Sequence, residues 1–65
     1  DLGLQIAPDG RLYRFADSCI YRVAPSDFTA CEILWEEGGI RVAGPILGGE
    51  IFYANGHRLR SVAID

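Results

Sequence analysis

At 65 residues, with hydrophobic residues at 49% and charged residues at 23%, the chain is one small domain whose core is too thin for most enzyme architectures. That balance excludes a disordered chain, and no apolar run reaches the ~20 residues of a membrane span. Six basic against nine acidic residues leave a formal charge of −3, which argues against a nucleic-acid partner, whose phosphates are bound by clustered cations.

All six basic residues are arginine, and the chain has neither Lys nor Met. Residues 1–65 therefore read as a single small domain, processed or cut from something longer. The first turn signal is Pro8-Asp9-Gly10, between Leu4-Gln5-Ile6-Ala7 and Arg11-Leu12-Tyr13-Arg14-Phe15. Proline presets φ early in the turn, and glycine takes the left-handed conformation that closes a three-residue hairpin.

Ser18 to Val23 and Thr29 to Trp35 read as antiparallel strands around the Ala24-Pro25-Ser26 corner. That pairing sets Cys19 opposite Cys31, so a disulfide would form in an oxidising, secreted or periplasmic setting. The preferred reading keeps both cysteines reduced and buried as small apolar residues, in a cytoplasmic protein. The stretch from Ser26 to Gly39 is ambiguous. As a helix over about 27–37 it would be capped by Ser26 or Asp27, stopped by Gly38-Gly39, and would gather Phe28, Cys31, Leu34 and Trp35 on one side. As a hairpin turning at Glu37-Gly38 it would point Ile33, Trp35, Ile40 and Val42 one way. The hairpin is preferred, because four large apolar residues then converge.

Asn55-Gly56 separates Glu50-Ile51-Phe52-Tyr53-Ala54 from His57-Arg58-Leu59-Arg60-Ser61-Val62, the strongest short-range hairpin signal in the chain. A turn centred on that pair sets Tyr53 opposite Arg58, Phe52 opposite Leu59 and Ile51 opposite Arg60. Phe52 and Leu59 then face the core, and His57 sits at the tip.

At an offset of 39 residues, Gly10 to Phe15 aligns with Gly49 to Ala54, Ile20 with Leu59, Val23 with Val62 and Ala24 with Ala63. Repeats of ~40–45 residues can mark four-stranded propeller blades, which bury their faces only against neighbours. Coincidence between aromatic-rich hairpins is the preferred explanation, since no further repeat signature accompanies these few matches. The expected fold is mainly β: a small antiparallel barrel or strongly bent sheet of five or six short strands, or α+β if residues 27–37 are helical.

Chemistry-bearing patterns are sparse. Cys19, Cys31 and His57 contain no close ligand pair, so no metal site is expected. There is no nucleophile elbow and no glycine-rich phosphate cradle, so no cofactor and no catalytic residue is assigned; His57 is the nearest to a candidate. Glu36-Glu37 reads as a solvated turn. What remains is a surface. Tyr, Trp and Arg are the types enriched at interface hot spots, and Tyr53, Arg58, Arg60, Tyr13, Arg11 and Trp35 are the candidates for it. The function expected is a non-catalytic interaction module that self-associates or docks on a partner protein through this Tyr/Arg-rich face. The rivals are a ligand-binding β module, for sugar or single-stranded nucleic acid, and a small enzyme with a site shared between subunits.

Overall fold

In the computed structural model, which describes residues 3–64, the alternation of large and polar side chains resolves into seven antiparallel strands, with no helix among the described residues. β1 (Gly3–Ile6), β2 (Leu12–Ala16), β3 (Cys19–Ala24) and β4 (Asp27–Glu36) form a four-stranded sheet in chain order. β5 (Ile40–Leu47), β6 (Glu50–Asn55) and β7 (Arg58–Ala63) form a three-stranded one. The mainly β expectation holds. The barrel or single bent sheet of five or six strands does not: there are seven strands in two stacked sheets.

The helical alternative over 27–37 is replaced by β4. Asp27 accepts from the Thr29 N–H at 3.0 Å and from its hydroxyl at 2.7 Å, a local pattern that competes with helix formation. The hairpin reading is also corrected, because β4 does not pair with β5; the chain crosses from one sheet to the other at residues 37–39. The expected convergence of four apolar residues fails with it. Ile40 enters the core, while Ile33, Trp35 and Val42 stay exposed.

Each connection follows from its turn chemistry. The Ala7 N–H donates to the Arg11 carbonyl at 2.8 Å and the Gly10 N–H to the Ala7 carbonyl at 2.9 Å. Gly10 has φ +91°, so Pro8-Asp9-Gly10 closes a three-residue loop as expected. Between β2 and β3 the turn is Asp17-Ser18, with φ of 52° and 63°, the type I′ handedness built without glycine.

Between β6 and β7 the central pair is Gly56-His57 rather than Asn55-Gly56. Of those two, Gly56 alone has positive φ, at 62°, the type II′ pattern. Asn55 therefore pairs with Arg58, Tyr53 with Arg60, Phe52 with Ser61 and Ile51 with Val62. The shift moves each β7 partner by two residues and leaves the same side chains sharing a face; what inverts is which of the two faces meets the first sheet. Tyr53 turns into the core and Leu59 out to solvent, at 1% and 76% exposure.

Two bulges displace β4 along β3, so Val23 stands opposite Cys31 and Cys19 opposite Glu36. The Cys19–Cys31 pairing does not form: both thiols are free, Cys19 buried but Cys31 exposed.

The core lies between the sheets. Tyr13, Phe15 and Ile20 come from the first sheet, and Ile51, Tyr53 and Ile40 from the second, closed by Ala7 and Ile64. Phe15 and Tyr53 meet across the divide with ring centres 6.5 Å apart and planes tilted by 55°, a favourable aromatic geometry.

The offset of 39 is structural rather than coincidental. Leu12↔Val23, Tyr13↔Arg22, Arg14↔Tyr21 and Phe15↔Ile20 reappear as Ile51↔Val62, Phe52↔Ser61, Tyr53↔Arg60 and Ala54↔Leu59. The match extends to Gly3↔Phe15 and Leu4↔Arg14 of β1 against Val42↔Ala54 and Ala43↔Tyr53 of β5. The two sheets are successive copies of one meander.

Candidate functional site

Glu37 follows the last residue of β4 and begins the crossing between sheets. Its N–H donates to the Ser18 carbonyl at 2.9 Å, which anchors it to the turn of the first sheet. Its carboxylate turns to the second sheet and collects four donors. Asn55 Nδ2 lies 2.5 Å from Oε2, and the Tyr53 hydroxyl 2.8 Å from Oε1. Trp35 Nε1 at 3.2 Å and Arg60 Nε at 3.1 Å complete the set. β6 and β7 bring Tyr53 and Arg60 together because they are directly paired across the ladder.

The electrostatics follow from that geometry. The Asn55 hydrogen bond is the largest influence holding the Glu37 carboxyl down to about 2, from an ordinary 4.5, with Tyr53, Trp35 and the Arg60 charge adding to it against partial desolvation. Hydrogen bonds and charges that favour the ionised form act in this direction. The same contacts raise Arg60, through the Tyr53 hydroxyl first and then the Glu37 charge. Desolvation raises Tyr53. A carboxylate tied to four donors and ionised down to about pH 2 is poorly matched to proton transfer near neutrality. Its chemistry is that of a clasp.

The six surface candidates separate. Trp35, Tyr53 and Arg60 meet at Glu37, and Arg58 lines the adjoining groove of about 570 Å³ with Glu37, Asn55, His57 and Arg60. Tyr13 is buried in the core, as is the ring of Tyr53, which corrects their placement on an exposed face. The inversion of the β6–β7 faces is the reason for Tyr53. Arg11 lies at the opposite end of β2, in an ion pair with Asp9 at 3.2 Å. His57 sits at the turn as expected, exposed.

Glu37 and Asn55 were missed by sequence reasoning. Apart from Trp35, two residues from Glu37, their partners lie 16 to 23 residues away, so no local motif announces the cluster. The outer face of the first sheet carries a second feature: the Arg14 guanidinium lies over the Tyr21 ring at 5.1 Å and the Phe28 ring at 5.7 Å. Cation–π contacts of this kind hold the guanidinium against the sheet. No protein-family model, curated protein or solved structure matches the chain.

Proposed function

We propose that the protein is a non-catalytic interaction module that self-associates, and that it does so through the outer faces of its two sheets. The observation that carries this reading is the apolar character of both. Leu4, Ile6, Phe28 and Ile33 stand exposed on the first sheet, and Val42, Leu47 and Leu59 on the second. Register places them there: Ile33 pairs with Tyr21 and Leu4 with Arg14, while Val42 and Leu59 flank Ala54. The core between the sheets is already complete without these side chains. Contiguous exposed apolar surface of this kind marks association sites.

This reading moves the contact surface away from the tyrosines and arginines. Tyr13 and Tyr53 are interior, and Arg60 is held by Glu37 at 3.1 Å. The absence of a core-filling role for the outer apolar residues supports association over catalysis. Light scattering across a dilution series tests it. A mass of two or more chains that falls on dilution is expected. A constant 7.1 kDa monomer would overturn self-association and leave the two faces as docking surface for a different protein.

A further inference from the structure

The repeat relates opposite faces of the two sheets. Tyr13, Phe15 and Ile20, which face the second sheet, correspond at the offset of 39 to Phe52, Ala54 and Leu59, which face away from the first. Conversely, Ile51, Tyr53 and Val62 on the inner face of the second sheet correspond to Leu12, Arg14 and Val23 on the outer face of the first. The packing inside the chain is thus between two unlike surfaces, and counterparts of each stand on the outer faces, where Leu59 is exposed, Leu12, Arg14, Phe52 and Ala54 are half-buried and Val23 is buried. We infer that a second copy of this chain stacks head to tail, laying the outer face of its first sheet on the outer face of the second sheet of the copy before it, in the relative orientation the two sheets already have within one chain.

This inference rests on the self-association proposed above and specifies its symmetry. A face that resembles the inner side of the first sheet is complementary to one resembling the inner side of the second, not to itself. The contact is therefore heterologous, and repetition of it closes a ring or extends a filament according to the rotation per step. The chemistry transfers position by position. The Phe15–Tyr53 contact at 6.5 Å has Ala54 and Arg14 as its counterparts between copies. Arg14, held over the Tyr21 and Phe28 rings, is the larger partner where Ala54 is the smaller.

Two variants separate this arrangement from a two-fold one. Leu59→Asp blocks the outer face of the second sheet and Ile33→Asp that of the first; both positions are exposed, at 76% and 57%. With circular dichroism showing the fold retained, each variant alone is expected to run as a single chain. An equimolar mixture is expected to give a mass of two chains, since each variant keeps the face the other lacks. Val42→Asp and Ile6→Asp, also exposed, repeat the test if either first variant fails to fold. Dimers of one variant alone would mean like faces pair, which overturns the head-to-tail arrangement and leaves self-association standing. A mixture that stays monomeric, where the unsubstituted chain assembles, also overturns it. An unsubstituted chain that is itself monomeric removes the underlying reading.

Discussion

A carboxylate surrounded by Asn55, Tyr53, Trp35 and Arg60 sheds its proton far more readily in the folded chain than in the unfolded one. The folded value of about 2 lies below the ordinary 4.5. Stability from Glu37 is therefore fully present above about pH 5 and is lost as pH falls toward 2. Urea midpoints of the parent chain and of Glu37→Gln should differ at pH 7 and converge between about pH 5 and 2; a gap that stays constant would mean the charge is not what the clasp uses. Arg60→Ala should lower stability as well, because it removes a donor from Glu37. Arg58→Ala, which breaks no ion pair among the described residues, should change stability by less than ~0.5 kcal/mol. Gly44 poses a steric case. A Cβ there would sit 2.7 Å from the Phe52 carbonyl oxygen, which is backbone and does not yield easily. Gly44→Ala should cost about 1–3 kcal/mol, whereas Gly38→Ala, with nothing within 4 Å of its Cβ, should be nearly silent by thermal melting.

The elements were more legible than their pairings. Pro8-Asp9-Gly10 closes the hairpin its residues announce, because the loop is specified within three positions. Asn55-Gly56 marks a true hairpin but misleads by one residue, since Gly56 also suits the first central position of a type II′ turn; the choice of Phe52 over Tyr53 as the core side chain is a separate matter, because both registers put the same residues on each face and neither says which face meets the other sheet. Bulges in β4 are silent in sequence, and they separate Cys19 from Cys31. Asp17-Ser18 is built of turn-prone types but lacks the glycine that makes a two-residue hairpin turn conspicuous. Both residues are left-handed there, at φ 52° and 63°, a region that costs most residues about 1–2 kcal/mol. Ser18→Gly should thus raise stability by about 1 kcal/mol. No gain in the denaturation midpoint would show that the Ser18 side chain compensates for its own strain.

At the scale of the whole molecule, the pattern of large residues was readable as mainly β, but its division into two stacked sheets was not. The repeat carried that information in five matched pairs of strand residues, too few to outweigh coincidence until the ladders aligned. The same architecture has a kinetic consequence. Within each meander the ladders join strands that follow one another in the chain, so every sheet assembles from local pairings. The links between sheets are long in sequence: the Glu37 bonds span up to 23 residues, and Arg22 reaches the Ile64 carbonyl, 42 residues on, at 3.4 Å. Contacts that close late are weakly formed at the barrier to folding, and weakening them leaves the folding rate nearly unchanged while hastening escape from the native state. In stopped-flow experiments Glu37→Gln should steepen nothing and slow nothing on the refolding limb, yet lift the unfolding limb. The clasp then sets how long the two sheets stay together, not how soon they meet.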